Sequence, residues 1–196
     1  MIKNIKTVLK TATAIAAMAV VASASACTDD DTDAGCPAGC PAGCPAPAGD
    51  AQTPPQGSDA VISAWITAGS YKGAGWKCET AAHDARSPSP HGKNRICSNT
   101  KLAQTAAPGL YPFGAASVKE LFAADGTTIT GYAIGLKLND GASDGSKWYW
   151  YEKMGNSVVI NGKGAKANTD VCSGCHAGAG TDAAHPGRDF VYTQVP

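Results

Sequence analysis

Two neighbouring stretches decide the fold: residues 127–139 read "TTITGYAIGLKLN" and residues 147–154 read "KWYWYEKM". Both are rich in β-branched and aromatic residues, which favour strands, and the turn-forming segment "DGASDGS" separates them. Strands joined by a short turn pair in the antiparallel sense. The aromatic run Trp148–Tyr151 places its side chains alternately on two faces, so one pair of them is expected in the core.

The sequence on either side extends this pattern. "AASVKELFA" (115–123) leads through the turn "ADG" into the first stretch, while "SVVING" (157–162) and "DFVYTQV" (189–195) are expected to add edge pairing. Residues 59–72 are predicted to form an amphipathic helix behind Ser58 as N-cap, and the chain from there to about residue 110 reads as loop. The predicted fold class is α+β, mainly an antiparallel β-sheet with a few short helices.

The first 26 residues have the pattern of a secretory signal peptide. Three lysines precede the uncharged run "TATAIAAMAVVASASA", and small residues crowd its end. An uncleaved anchor is the alternative, although the run is short for a membrane span. The next residue is Cys27, and "ASAC" resembles a lipobox with Ala24 where leucine is commonest. We expect a periplasmic or cell-envelope protein, with Cys27 either lipidated or, after plain secretion, free or paired.

Residues 27–58 are predicted to be a disordered tether. They contain no aromatic residue and no base, and they repeat "CPAG" at Cys36, Cys40 and Cys44. The triplet could hold a soft metal, although proline after each cysteine favours an extended backbone that disperses the sulfurs. From residue 59 onward, 13 bases and 11 acids are scattered without clustering. This distribution does not indicate a nucleic-acid surface.

Cys78 and Cys97 are predicted to form a disulfide. Both lie in polar segments, "GWKCETA" and "NRICSNT", of an exported chain, and export exposes cysteines to an oxidising compartment. Two buried free thiols are the alternative.

The chemistry of the chain is concentrated in "CSGCH", Cys172 to His176. A thioredoxin-like site would follow the first strand of a βαβ unit, and a zinc ribbon would need a second CxxC motif; neither is present in the sequence. In an exported chain this spacing instead indicates one covalently attached haem c. Cys172 and Cys175 would form the thioether bonds, and His176 would be the proximal iron ligand.

The residue on the opposite side of the haem decides between ligand binding and electron transfer. After removal of the signal peptide, Met154 is the only methionine, and it precedes the CxxCH motif. His83, His91 and His185 are further candidates, and all three lie in loop-like sequence. An open sixth position would bind small molecules, whereas methionine or histidine there would suit an electron carrier.

Several segments in order resemble the cytochrome P-460 family and its relative cytochrome c′-beta. They are "SPHGKNR", "SVKELF", "GYAIGLK", "KWYWYE", the late "CSGCH" and "RDFVYT", and the resemblance covers roughly residues 59–196. The resemblance implies a largely antiparallel β fold, a homodimer, and one c-type haem with an open distal face. It also implies either hydroxylamine oxidation, with a lysine bonded to the porphyrin, or nitric oxide binding in an apolar pocket.

The resemblance assigns particular residues. Lys119 in "SVKEL" matches the cross-linking lysine; the alternative is a strand lysine that faces water. Lys137 stands where some catalytic members have an acidic residue after "IGL", and a protonated lysine cannot accept a proton as a carboxylate does. Lys119 and Lys137 are therefore the candidate catalytic residues. Phe113, Phe122 and Tyr132 are candidates for an apolar cap over the distal face.

Three functions follow as expectations. The first is a haem protein with redox activity whose open iron site takes nitric oxide, hydroxylamine or peroxide. Whether it turns these ligands over as an enzyme stays open. The second is a membrane-tethered electron carrier with a six-coordinate haem, and both require a redox partner protein. The third is metal delivery by the cysteine-rich tether, which deletion of the tether would test.

Overall fold

The computed structural model of this chain describes residues 52–86, 89–141, 143–164 and 169–196. The predicted signal peptide, the lipidation site Cys27 and the CPAG triplet lie outside the described residues. Three α-helices and six β-strands are present there. They are α1 (Asp59–Thr67), β1 (Trp76–Cys78), β2 (Lys93–Asn99), α2 (Thr100–Ala103), β3 (Ala116–Phe122), β4 (Ile129–Lys137), β5 (Trp148–Met154), β6 (Ser157–Lys163) and α3 (Asp170–His176), with short 3-10 turns at Ser70–Lys72 and Gly145–Lys147.

The six strands form one antiparallel sheet in the order β1 to β6, so each strand pairs with its neighbour along the chain. This confirms the predicted antiparallel sheet with short helices. Strands β1 and β2 were expected to be loop. The predicted strand at 189–195 is wrong, because Asp189 and Phe190 have φ angles of 43° and 67° in the left-handed region, where an extended strand cannot continue.

Both faces of the sheet are covered, so the aromatic run in β5 contributes to a core on each face. Tyr149 and Tyr151 belong to a core with α1, whereas Trp148 and Trp150 belong to a second core with Phe190. All four side chains are buried. Both pairs therefore pack in a core, whereas the sequence predicts only one buried pair. The face that carries Trp148 and Trp150 is called the α3 face below, and the opposite one the α1 face.

The α1 face is closed by a helix that is shorter than predicted. Ile62 and Ile66 are its buried residues, and Val61 is half exposed. Ser58 caps the helix only through its backbone carbonyl, which accepts from the amides of Val61 and Ile62. The sequence predicts Val61, Ala64, Trp65 and Ala68 as the apolar face, whereas the buried positions of the helix are Ile62 and Ile66.

The α1 face also holds a fully buried carboxylate, Glu120. Tyr71 Oη donates to its Oε1 over 2.6 Å, Lys72 Nζ lies 2.7 Å from the same oxygen, and Arg95 Nε donates to Oε2 over 2.6 Å. Burial alone would raise the pKa of Glu120, but these hydrogen bonds outweigh it and leave the pKa below its ordinary value. The charge of Glu120 is thus paired in the folded chain.

The predicted disulfide between Cys78 and Cys97 is confirmed. The two residues are directly opposite each other in the β1–β2 pair, where the side chains of an antiparallel pair come close together. The bond fastens the three-residue edge strand β1 to its neighbour β2.

Residues 52–57, which the composition assigns to the tether, contact the sheet. Asn99 Nδ2 donates to the Gln52 carbonyl over 2.9 Å, and Asn161 Nδ2 donates to the Gly57 carbonyl over 3.0 Å. The folded part therefore includes residue 52. Across the described ranges, no helix has the length and apolar character needed to cross a bilayer.

Candidate functional site

Helix α3 brings the CxxCH residues onto the sheet. Cys172, Cys175 and His176 are three and four positions apart, so they share one side of the helix. Cys172 is half-buried against the second core, and Cys175 is exposed. Neither thiol is in a disulfide, and burial raises the pKa of Cys172 to about 11, so this thiol is protonated at neutral pH.

His176 is held in one tautomer. Its Nδ1 lies 2.7 Å from the backbone carbonyl of Phe190, and a carbonyl can only accept, so Nδ1 carries the proton. Burial, the main cause, lowers the pKa of His176 to about 4, and the ring is neutral. Its Nε2 therefore has a free lone pair, which is the arrangement found in metal-binding histidines. The rings of Trp150 and Tyr192 flank the imidazole at centroid distances of 4.6 and 5.6 Å.

A cavity of about 400 Å³ lies beside α3. Its size is in the range of small-ligand and cofactor sites. Side chains from α3, the α3 face of the sheet and the segment before β2 form the walls. The titratable side chains that line it include Cys172, Cys175, His176, Lys119, Glu152 and His91.

Lys119 lines this cavity from β3. It pairs with Ile96 on one side and Ala133 on the other, on the same face of the sheet as Trp150. Burial is the main cause that lowers its pKa, while the charge of Glu152 acts in the opposite direction. Within the described ranges its amine makes no hydrogen bond or ion pair. The lysine to which the resemblance assigns the cross-link is thus at the cavity, and its amine is unengaged in the described part of the chain.

Two further titratable groups face Lys119 across the cavity. Glu152 extends from β5, and its Oε1 lies 3.8 Å from Nδ1 of His91. Burial raises the pKa of Glu152 and lowers that of His91 to about 3. The His91 Nδ1 atom is buried and has no hydrogen-bond partner among the described residues. Glu152 was not among the predicted site residues, although its spacing of two from Trp150 places it on the same face.

Lys137 does not belong to this cavity. Its Nζ lies 2.8 and 2.9 Å from the two carboxylate oxygens of Asp189, and both side chains are fully buried. The lysine is absent from the lining of the cavity. The structure therefore places Lys137 in a buried ion pair outside the cavity, and not at the candidate catalytic position.

The predicted apolar cap is also corrected. Phe113 is 52% exposed, and Tyr132 packs on the α1 face with its ring 6.1 Å from that of Tyr71. Phe122 ends β3 and does not line the cavity. The walls beside the CxxCH residues are formed instead by Ile96 together with the polar groups of Lys119 and Glu152.

Of the candidates for a sixth iron ligand, two are at the cavity. His91 lies inside it, and His83 lies at its wall with Nε2 2.9 Å from Glu79. His185 pairs with Asp182 over 2.8 Å outside the lining, and Met154 is 42% exposed at the end of β5.

The donor set fits a covalent haem: two free thiols and a neutral imidazole on one side of a helix border a cavity of suitable size. Among the described residues, no group of three or more histidine, cysteine or acidic side chains is arranged to hold a metal ion. Comparisons with protein-family models, curated proteins and solved structures found no match.

Proposed function

We propose that this chain is an exported c-type cytochrome that carries one covalent haem, and that its sixth iron position takes nitric oxide, hydroxylamine or peroxide. The observation that supports it most directly is the environment of His176. The Phe190 carbonyl fixes the proton on Nδ1, so Nε2 is available as an axial ligand beside a cavity that two free thiols also border. When bound, haem c supplies an iron centre that binds small ligands and exchanges electrons.

The side chains around the cavity have distinct roles in this proposal. Cys172 and Cys175 supply the two thiols for attachment, and His176 supplies the axial nitrogen. Glu152, whose pKa is raised by burial, can accept and return a proton at Oε1. Lys119 has a lowered pKa and an unengaged Nζ, so it can donate a proton to a polar ligand. The resemblance implies that this amine would carry the additional bond to the porphyrin.

The cellular setting follows from the N-terminal sequence. Residues 1–26 would direct export to the periplasm or cell envelope, and Cys27 would attach the chain to the membrane through a lipid. Redox turnover needs a partner protein, and the resemblance adds a homodimer. No nucleic acid enters the proposal.

The absorption spectrum of the reduced protein, before and after addition of nitric oxide, tests this proposal. We expect a high-spin, five-coordinate spectrum that changes when nitric oxide is added, because the sixth position is open. A red-shifted Soret band would mark the additional lysine bond. A low-spin, six-coordinate spectrum without added ligand would contradict the open site, and the absence of haem from the exported chain would contradict the whole proposal.

One observation favours a second function, a six-coordinate electron carrier. His91 presents a buried, neutral imidazole whose Nδ1 has no hydrogen-bond partner in the described part of the chain, and it does so inside the same cavity. A histidine in this state is suited to ligate iron. Met154, by contrast, is exposed and outside the cavity lining.

Replacing His91 by alanine distinguishes the two functions. We expect the reduced His91→Ala protein to keep the coordination spectrum of the wild type, since the sixth position is open in our proposal. His185→Ala is the matched control, because His185 lies outside the cavity lining. If the wild type is low-spin and only His91→Ala converts it to high-spin, the electron carrier is the correct function.

A further inference from the structure

The most deeply buried charge pair described on the α3 face joins two distant parts of the chain. Lys137 Nζ, at the end of β4, contacts both oxygens of the Asp189 carboxylate, and neither side chain reaches solvent. Removing two charges from water costs several kcal/mol per ion, and this cost is offset only where the geometry is good. Such a pair is a weak source of stability, but it restricts the conformation of the two segments that it joins.

Asp189 begins a short stretch of unusual backbone. Asp189 and Phe190 both have left-handed φ angles, which are unfavourable for residues other than glycine. Three contacts hold this conformation. Asp189 accepts from Lys137 and, at Oδ2, from the Tyr111 amide over 3.0 Å, and the backbones of Arg188 and Val191 exchange two hydrogen bonds across the turn.

The result of this conformation is the position of one carbonyl group. The Phe190 oxygen accepts the proton of His176 Nδ1 over 2.7 Å, while the Phe190 ring packs in the second core with Trp148 and Trp150. A continuous series of contacts therefore leads from Lys137 through Asp189 and Phe190 to His176. No member of this series except His176 lines the cavity beside α3.

We propose that Lys137 and Asp189 are positioning residues that hold the Phe190 carbonyl against His176 Nδ1 and thereby set the electron donation of His176 to a bound iron. This inference rests on the haem function proposed above. A hydrogen bond from the outer ring nitrogen to a fixed acceptor makes the ligating nitrogen more basic, which stabilises the oxidised metal. When the carbonyl is less well held, this donation decreases.

Two variants and two measurements test the inference. Asp189→Asn keeps the shape and the acceptor for Tyr111 but removes the charge, and Lys137→Met/Asp189→Asn removes both charges so that no unpaired one stays buried. On the holoprotein we expect a lower iron–histidine stretching frequency in the resonance Raman spectrum of the reduced state and a more positive reduction potential. If His91 ligates the iron, the Raman comparison is made in a His91→Ala background.

Glu120→Gln is the matched control. It too neutralises a fully buried, ion-paired carboxylate, but on the α1 face of the sheet. It should lower the denaturant midpoint as the Asp189 variants do, with the Raman frequency and the potential unchanged. A shift in all variants alike would attribute the effect to general destabilisation and overturn the positioning role.

Failure of the inference and failure of the proposed function give different results. A wild type without covalent haem removes the function on which the inference rests. A wild type with haem, together with Asp189→Asn and double variants that load haem and keep its Raman frequency and potential, overturns the positioning role alone. If the double variant does not fold, the Raman frequency and the reduction potential of Asp189→Asn, the smaller change, decide whether the positioning role holds.

Discussion

Replacing Cys172 and Cys175 together by serine is expected to abolish covalent haem attachment completely. A serine hydroxyl does not add to a porphyrin vinyl group as a thiol does, so no thioether can form. The substitution changes little else, because serine is close to cysteine in size and Cys175 is exposed on α3. Mass spectrometry and haem staining of the denatured, exported protein measure the bound haem, and we expect none on the double variant and one per chain on the wild type.

Gly174→Ala is the matched control for this experiment. Gly174 lies between the two cysteines on α3, and a Cβ atom at this position would meet nothing within 4 Å. Alanine also favours the helix relative to glycine, so the motif keeps its geometry. We expect wild-type haem loading in this variant. A covalent haem that persisted on the double serine variant would show that another residue attaches it and would contradict the assignment of the CxxCH motif.

The strands of the sheet that could be predicted from the sequence are those whose pattern is local. Strands β3 to β6 contain β-branched, aromatic and other apolar residues bounded by turn residues, and all four were expected near their observed positions. Strand β2, "KNRICSN", contains buried polar residues that are satisfied only by distant parts of the chain. Asn99 Oδ1, for instance, accepts from the amides of Leu102 and Ala116. Such tertiary hydrogen bonds leave no periodic signal in the sequence.

The segment 189–195 shows the opposite error. "DFVYTQV" is rich in β-branched and aromatic residues as a strand is, but Asp189 and Phe190 have left-handed φ angles, and Asp189 is paired with Lys137. A contact between residues 52 positions apart cannot be read from local alternation. Lys137 was assigned to the site from its position after "IGL", which is a local feature. Its buried ion pair with Asp189 depends on a distant part of the chain and could not be predicted in this way.

The candidate site divides in the same way. Cys172, Cys175 and His176 lie within five residues, so their spacing alone indicates a haem-attachment motif, and this stays a prediction. The convergence of Lys119, Glu152 and His91 depends on the register of β3 against β4 and of β4 against β5, which places Lys119 opposite Ala133 and Ala133 opposite Glu152. Register between strands follows from the whole buried face, which single segments do not specify.

Removal of the Cys78–Cys97 disulfide is expected to lower the free energy of unfolding by about 3 kcal/mol. The bond closes a loop between residues 19 apart, and a cross-link of that length reduces the entropy of the unfolded chain by about this amount. For a domain of this size, we expect a decrease in Tm of roughly 6 to 12 °C. Denaturant unfolding of the oxidised and the reduced wild type measures the difference without changing any other side chain.

The effect should extend to the site because the bond secures one wall of the cavity. Edge strand β1 has three residues, and Glu79 follows it directly, lines the cavity and accepts from the Ile96 amide at Oε2 over 2.8 Å. Without the bond, β1 keeps its pairing with β2 and the packing of Trp76 in the core, but local opening at a sheet edge becomes easier. Amide hydrogen exchange in β1 and at Ile96 should accelerate on reduction, while exchange in β4 and β5 should change only by the global loss of stability. Equal unfolding free energies in the oxidised and reduced forms would contradict this account, and unchanged exchange in β1 with a 3 kcal/mol loss would limit the role of the bond to the unfolded chain.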